Sequence, residues 1–577
     1  MAVRRHCRHF CRGTTELNVA AGRSWLRSYR REWLGADAIA GITTSAVVIP
    51  KAMALAVIAG VAVESGLYTA LAAMLIYPLL GSSRVLSVST TSALAMLTAA
   101  SVVEMSAAGS SGISAASVAA TLALMVGVIL ILARVLRLGF LADFISKPVL
   151  VGFEAGLGIV ILIGQLKSVL GIPIQSHTTV GILRELPALL PLAQLPTMIV
   201  AGVGVLILLL LPRLLPRVPA SPVWIALSIV AFVVFDLGAH GIRVVGAVPS
   251  GLPTLALPDL SIAMQLLPAA LGVALMSFTE SAAAARTFWG RDDAPVNANR
   301  ELLAIGAANI ASSLVGGIPA GGGTSQTAIA NAAGARSQMA QWVNVTVVVL
   351  TLLFLSRLIG LLPKAALATV IIVAAFGMIK LKDFRAIARV RRDEWAWALV
   401  TLAGVVLIGT LEGILIAVAI SVLTLGYQAN HPPVYAVAWN REKEIFRRAG
   451  DDASDEVFPG LLILRTEGRL TFANAANASE KMQALVAESQ PKVIALECSA
   501  IPDIEYTALT MLADAEQRLR ERGVSLWLVS INPDLLKIID RSPLGAAVGL
   551  ERRFFNLRQA LEAWLRMDGR KPTSTPL

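Results

Sequence analysis

The stretch that decides the fold is GGIPAGGGTSQTAIANAAGAR, from Gly316 to Arg336. It lies between two long apolar segments, yet five glycines and a proline precede Thr324. Glycine and proline disfavour helix, and backbone groups without hydrogen bonds are costly in lipid. A break of this kind needs partners for its polar backbone groups, and we expect it to serve a function.

The whole chain has the composition of a membrane protein. Of its 577 residues, 56% are hydrophobic and only 15% are charged, whereas about a quarter of the residues of typical soluble proteins are charged. Roughly fourteen apolar runs of spanning length occur between 36 and 427. The basic N-terminus lacks the apolar core and small-residue cleavage site of a secretory signal.

Basic residues alternate with the apolar runs in a way that predicts sidedness. They cluster in the N-terminal tail, at Arg134/Arg137/Lys147, at Arg213/Arg217, at Arg286/Arg291/Arg300 and over 380–392. The connections 171–194 and 238–259 carry few basic residues. Because Lys and Arg mark the cytoplasmic side, the pattern predicts an inner-membrane protein with an even number of spans and both termini inside. The net charge of +11 therefore does not indicate a nucleic-acid partner.

The composition changes after Tyr427. The segments GLLILRTEG, KVIALEC and VSLWLVSI read as strands, and helical patterns such as TALTMLADAEQRLRERG and LRQALEAWL alternate with them, which predicts a parallel sheet. We therefore expect five regions. They are a basic cytoplasmic tail (1–34), a membrane domain (35–428), a polar linker (429–458), a cytoplasmic α/β domain (459–570) and a short tail (571–577).

The sequence offers little support for an enzyme. Cys7, Cys11 and Cys498 form neither a disulfide framework nor a metal-ligand spacing. We find no nucleotide-binding loop, no nucleophile–base motif and no metal cluster, so we expect no cofactor. The lack of a Walker motif also argues against an ATP-driven pump.

A second break resembles the first. SVSTTSALAML (Ser87–Leu97), like GGTSQTAIANA (Gly322–Ala332), passes from small polar residues into an Ala-rich helix. Paired interrupted segments in corresponding positions indicate an inverted-repeat transporter and its binding site. A helix that begins inside the membrane presents unpaired N–H groups and partial positive charge, which together attract an anion. Hydroxyl groups that are candidates to cap or coordinate belong to Thr91, Ser92, Thr324 and Ser325. The alternative, glycines at a simple helix crossing, stays open.

The segment VESGLYTALAAMLIYPLLGSSR (Val63–Arg84) resembles the signature of the sulfate permease (SulP) family of anion transporters. Collinear matches occur in IPKAMALA, NRELLAIGAANIASSLVGGIP and AGARSQMA, and the C-terminal segment resembles a STAS domain. The resemblance covers about 35–570. It implies an α-helical membrane protein with fourteen transmembrane segments in two inverted seven-segment repeats, a core domain that moves against a gate domain, and a homodimer. It also implies that the third and tenth segments meet at the substrate.

The resemblance assigns further site residues. Glu280 is an acid in an otherwise apolar helix, at the family's coupling position in the eighth segment, and burial of a carboxyl group favours its protonated form. Lys51 stands where the family more often has Gln, and it would attract the anion, pair with Glu280 or reach an interface. Gln326 stands where many members have Arg. Glu154 is a second intramembrane acid, for which we expect a structural role.

These observations predict a secondary active transporter of small anions, of the sulfate, bicarbonate or dicarboxylate class, that works as a proton symporter by an elevator-type mechanism. Sodium-coupled bicarbonate uptake and anion exchange are alternatives. Ala284, one turn after Glu280, offers no oxygen for sodium, which favours protons. A membrane-anchored signalling module with the STAS-like part as its output is the alternative of another class.

Overall fold

A computed structural model describes residues 25, 29–107, 113–143, 146–176, 178–215, 218–246, 248–289, 295–440, 442–450 and 454–569. Most of the predicted tail 1–34, including Cys7 and Cys11, and the predicted tail 571–577 lie outside the described residues. The chain divides into two compact units, Met1–Ser421 and Val422–Leu577.

The first unit is built from helices. In chain order they are α1 (Leu34–Ile58), α2 (Val63–Leu80), α3 (Ser92–Ala107), α4 (Ala115–Val135), α5 (Lys147–Gly164), α6 (Leu166–Leu170), α7 (Thr179–Leu189), α8 (Leu195–Leu214), α9 (Ala220–Val234), α10 (Ala263–Thr287), α11 (Ala298–Leu314), α12 (Thr324–Ala332), α13 (Met339–Leu350), α14 (Ser356–Gly360), α15 (Lys364–Phe376), α16 (Leu381–Val390), α17 (Arg392–Leu407) and α18 (Thr410–Asn430). Two short strands, β1 (Val88–Ser89) and β2 (Gly321–Gly322), precede α3 and α12.

Many of these helices have the length and composition of membrane spans. Within the described part of the chain, eight helical stretches are long and apolar enough to cross a bilayer. They are Arg31–Ile58, Val63–Leu80, Ala115–Val135, Lys147–Leu170, Leu195–Leu214, Leu260–Thr287, Met339–Gly360 and Lys364–Val390. Shorter apolar helices add Ser92–Ser106, Ala220–Val234 and Leu415–Asn430. The first unit is therefore a multi-pass membrane domain.

Small residues allow the membrane helices to pack closely. Helix α4 packs along α11, where a Cβ on Gly127 would lie 2.7 Å from the carbonyl oxygen of Gly306. In the same way, a Cβ on Gly306 would lie 3.0 Å from the carbonyl oxygen of Gly127. Lipid tails are as apolar as leucine, so helices in a membrane associate through close contact of this kind. Helix α11 also packs on α2, which brings the two halves of the domain together.

The second unit is a sheet covered by helices. Its strands are β3 (Val434–Asn440), β4 (Ile445–Arg448), β5 (Asp455–Glu456), β6 (Leu461–Thr466), β7 (Val493–Glu497), β8 (Ser525–Val529) and β9 (Arg553–Phe554), in the order β4-β3-β6-β7-β8-β9 with β5 paired to β3. Strands β6 to β9 are parallel. Its helices are α19 (Ala475–Ser489), α20 (Tyr506–Glu521), α21 (Pro533–Asp540), α22 (Pro543–Val548) and α23 (Leu557–Met567).

The sequence prediction for this unit is confirmed in its centre and wrong at its start. The three predicted strands are β6, β7 and β8, and their pairing is parallel. The predicted linker 429–458, however, contains β3, β4 and β5. Strand β3 pairs antiparallel to β6, so it extends the sheet. The sequence analysis missed these strands because the region is polar and charged overall. Strand β3 is only seven residues long, so its strand pattern is a small part of that region.

Candidate functional site

The two breaks meet in the membrane domain. Strand β1 pairs antiparallel with β2, with Val88 opposite Gly322 and Ser89 opposite Gly321. The N–H of Gly323 extends the contact by donating to the carbonyl of Ser87 at 3.1 Å. Helices α3 and α12 therefore begin from one two-stranded sheet, although more than 230 residues separate them in the sequence.

Polar side chains satisfy the backbone ahead of β2. The N–H of Ile318 donates to Thr69 Oγ1 at 2.8 Å, and its carbonyl accepts from Ser312 Oγ at 2.8 Å. The N–H of Ala320 donates to Asn309 Oδ1, and its carbonyl accepts from Asn309 Nδ2, both at 2.9 Å. All five residues are buried. Because lipid offers no hydrogen bonds, these side chains make the non-helical backbone possible.

Glycine is required where β2 approaches α10. The N–H of Gly322 donates to Ser281 Oγ at 2.7 Å, and a Cβ on Gly322 would lie 2.8 Å from the Cα of Ser281. One turn earlier on α10, Ser277 Oγ donates to the carbonyl of Ala320 at 2.7 Å. The strand therefore lies directly against this helix, and any side chain at Gly322 would push it away.

Gln326 and the first break are tied together by hydrogen bonds. The Gln326 side chain is fully buried, with its amide nitrogen donating to the carbonyl of Ser87 at 2.8 Å and its amide oxygen accepting from Ser89 Oγ at 2.9 Å. Thr327 Oγ1 accepts from the N–H of Ser87 at 3.1 Å. The geometry gives Gln326 a role in joining the breaks, and its polar atoms already have protein partners.

The two charged candidates bond to hydroxyl groups at the two helix starts. Lys51 Nζ donates to Ser325 Oγ at 2.9 Å, in the first turn of α12. Thr91 Oγ1 donates to Glu280 Oε2 at 2.6 Å, directly before α3. Lys51 and Glu280 therefore bond to two different hydroxyl groups. Within the part of the chain that the structure describes, they form no direct ion pair.

The start of α12 is open. Gly323 gives it no side-chain cap, and Thr324 and Ser325 are exposed. Ser92, at the start of α3, is half-buried, while Thr91 accepts from the N–H of Leu94 at 3.4 Å. Uncapped first-turn N–H groups carry partial positive charge. With the ammonium of Lys51 beside Ser325, this surface is suited chemically to an anion.

Glu154 lies apart from the hydroxyl groups. It forms an ion pair with Lys380 at 3.0 Å, and the side chains are 24% and 50% exposed. We propose the structural role expected from the sequence, because Glu154 already has a charged partner.

Two other buried acids escaped the sequence analysis. Asp37 in α1 accepts from Ser337 Oγ at 2.6 Å and from its N–H at 3.1 Å. Glu301 in α11 accepts from Ser82 Oγ at 2.6 Å and from the Tyr77 hydroxyl at 3.0 Å. Both carboxyl groups are fully buried and clamp loops. Ser337 lies in the AGARSQMA motif and Ser82 lies in the GSSR motif, so these two motifs are the sequence features that could have indicated the two acids.

Both the sequence and the fold match known membrane proteins. The sulfate permease family model matches residues 34–422, and the STAS domain model matches residues 452–560. The chain is 35% identical over 557 residues to a probable sulfate transporter of Mycobacterium tuberculosis, covering 96% of this chain and 99% of that protein. Murine solute carrier 26 family member A9, an anion transporter solved in the inward-facing state, is 21% identical with a TM-score of 0.85, covering 97% of each chain.

The transmembrane domain of a cyanobacterial bicarbonate transporter is 22% identical with a TM-score of 0.58, covering 68% of this chain and 98% of that chain. These two structures share the fold. The family model matches well over half of the sequence, and the mycobacterial relative matches nearly all of it. The chain therefore belongs to the sulfate permease family of membrane anion transporters and carries a C-terminal STAS domain.

Proposed function

We propose that this protein is a proton-coupled symporter of small anions, with sulfate as the first substrate to test. The choice of sulfate is supported by the mycobacterial relative, which is named a probable sulfate transporter. The single observation that carries the mechanism is the hydroxyl-bonded pair of charges. Lys51 bonds to the start of α12, and Glu280 bonds to the residue before α3.

The charges suggest how coupling works. An anion that binds at the open start of α12 contacts the ammonium group of Lys51 and the N–H groups of the first helical turn. Thr324 and Ser325 lie in that turn. A carboxylate at Glu280 repels that anion, whereas a protonated Glu280 does not. With Lys51 charged and Glu280 protonated, a bound divalent anion leaves a formal net charge of −1 on the site, compared with −2 when Glu280 is a carboxylate. Proton loading of Glu280 therefore promotes anion binding, and the site carries both.

The architecture supports an inverted repeat. The helices form fourteen segments when neighbouring pieces are grouped and the short helices α7 and α16 are set aside. The grouped pairs are β1 with α3, α5 with α6, β2 with α12, and α13 with α14. The broken segments are then the third of each group of seven. We propose these repeats, an elevator-type movement of the core domain with the two breaks, cytoplasmic termini in an inner membrane, and a homodimer. We keep 35–428 as the proposed bounds of the membrane domain, whereas the start of the α/β domain moves from 459 to before β3, because β3 belongs to its sheet.

Two alternatives lead to different measurements. Sodium-coupled bicarbonate uptake, or exchange of one anion for another, uses the same helix starts but gives no response to a proton gradient. Ala284, one turn after Glu280, is buried and has no side-chain oxygen for sodium. A membrane-anchored signalling module uses the STAS domain as its output and moves no anion.

The test uses purified full-length protein in liposomes. We expect labelled sulfate to accumulate when the outside is acidic, and excess unlabelled sulfate to compete. A sodium gradient at equal pH, and preloading with bicarbonate, test sodium coupling and exchange. Accumulation that follows sodium or internal anion, and ignores pH, contradicts proton symport. Absence of uptake for sulfate, bicarbonate, dicarboxylates, nitrate and halides contradicts the transporter function.

A further inference from the structure

A cavity lined by both apolar and polar side chains lies away from the central site. It has a volume of about 360 Å³ and is lined by residues from the end of α1, the start of α2, the junction of α5 with α6 and the start of α15, together with Val245 and Val248. Its walls are largely apolar, but five polar side chains line it. They are Glu64, Gln165, Lys167, Ser168 and Lys364.

Gln165 is the clearest sign that the cavity takes a ligand. The residue is only 8% exposed, and it lines the cavity. Its side-chain amide makes no hydrogen bond to any residue that the structure describes, while its polar atoms are not sealed from solvent. The amide therefore has donor and acceptor capacity that no described residue uses. The cavity is therefore the place where its hydrogen-bonding capacity is used.

The net charge of the side chains that line the cavity favours an anion over a cation. The ammonium groups of Lys167 and Lys364 are exposed, and across the described chain neither forms an ion pair within 4.0 Å. Glu64 is the one acid in the lining, so two lysines and one glutamate leave a net charge of +1. Two ammonium groups, an amide and a hydroxyl supply the donors that an oxyanion accepts.

The cavity lies further along α1 than the central site. Val57 lines it, six residues after Lys51 on the same helix, which corresponds to a rise of about 9 Å. In the proposed orientation α1 runs from the cytoplasm outward, so the cavity opens on the outer face. Along the axis of α1, Val57 therefore lies about one and two-thirds turns beyond the backbone of Lys51.

We propose that this cavity is an outer anion site, separate from the central one, which captures a small inorganic oxyanion before it reaches Lys51. Gln165 and Ser168 bind the anion, and Lys167 and Lys364 attract it. Its position outside the central site rests on the proposed function and topology. The presence of the anion site itself does not depend on transport, so it is tested by a measurement that needs no turnover.

The test measures local potential with a cysteine at Ser168. Cys7→Ser and Cys11→Ser remove two native thiols, while Cys498 stays because burial raises its pKa to about 12 and keeps it unreactive. Intact spheroplasts are treated with two membrane-impermeant methanethiosulfonates, one anionic and one cationic. The ratio of their rates cancels the intrinsic reactivity of the thiol. Thr254→Cys, in an exposed outer loop position, is the reference.

We expect the anionic-to-cationic rate ratio at Ser168→Cys to exceed that at Thr254→Cys by about tenfold or more. Adding Lys167→Gln or Lys364→Gln should reduce it towards the reference. Arg184→Gln, which removes an exposed cation of the same predicted side that does not line the cavity, should leave it unchanged. External sulfate at millimolar concentration should slow both reagents at Ser168→Cys and not at Thr254→Cys.

Equal ratios at the two cysteines, or an equal effect of Arg184→Gln, overturn the proposal. So does an absence of protection by sulfate, phosphate and bicarbonate alike. If Thr254→Cys reacts only after the membrane is opened, the proposed orientation fails instead. A protein that transports nothing but keeps the rate ratio and the protection retains the outer site and refutes only the proposed function.

Discussion

Replacing Asn309 with leucine tests how the broken segment is held in the membrane. The Asn309 amide bonds to both backbone groups of Ala320, and all of these atoms are buried. Leucine has a similar volume, but it leaves the Ala320 N–H without its partner, at a cost of about 1–3 kcal/mol. The Ala320 carbonyl keeps Ser277, so loss of the second bond costs about 1 kcal/mol more. We expect a destabilisation of about 2–4 kcal/mol.

Asn344 in α13 provides a matched control. It is also fully buried, but its side-chain nitrogen and oxygen have no hydrogen-bond partner among the described residues. Asn344→Leu should therefore be neutral or stabilising, and any gain from burying leucine in place of an amide is common to both variants.

The assay is thermal unfolding of the purified full-length protein in one detergent. For a domain of this size about 2–4 kcal/mol corresponds to a Tm difference of about 2–5 °C, because the entropy of unfolding grows with chain length. Asn309→Leu should melt lower than Asn344→Leu by that amount. Sulfate uptake should also fall in Asn309→Leu, since α12 begins four residues after Ala320. Equal melting temperatures for the two variants would show that the side chain does not support the break.

The other predictions concern the site and the second unit. Ser325→Trp should abolish labelled sulfate uptake without lowering Tm, because it fills the open start of α12; unchanged uptake at normal expression removes this position from the site. Glu280→Gln should keep sulfate binding but lose accumulation driven by a proton gradient; wild-type proton movement would shift the coupling role to Glu154. A chain that ends at Asn430 should insert with unchanged topology but show reduced uptake or reduced dimer in crosslinking, and full activity with full dimerisation contradicts this.

The breaks could be predicted from the sequence because their signal is local. Glycine, proline and hydroxyl residues in a membrane segment are unusual at any one position, and two such stretches in corresponding places indicate a shared site. Segments that share a site must lie side by side, and in the structure the two breaks pair as β1 and β2. The supports could not be predicted, because Thr69, Asn309 and Ser277 each look like an ordinary small polar residue in a membrane helix. Their role depends on which backbone group faces them after folding.

Gln326 shows a different limit of the sequence. Its position next to Ser325 predicts a contact with the anion, and adjacent residues on a helix differ in direction by about 100°. In the structure that rotation leaves Ser325 exposed and turns Gln326 into the interior, where it bonds to the first break. A residue list for the site cannot separate these two roles without the start of α12, which fixes the direction of each side chain.

Lys51 and Glu280 each bond to a hydroxyl group and not to each other, which affects how easily the transport site can bind its anion and proton. A buried ion pair between them would resist opening, since removing either partner leaves an uncompensated charge at a cost of several kcal/mol. In the structure each charge instead bonds to a neutral hydroxyl, at Ser325 and at Thr91. An anion that takes the place of one hydroxyl exchanges a modest hydrogen bond for a charge-assisted one. In the proposed mechanism this arrangement lets the anion and the proton load without first breaking a salt bridge. Lys51→Gln should therefore weaken sulfate binding while leaving Tm nearly unchanged, and a large fall in Tm would show that Lys51 is a structural partner of Glu280.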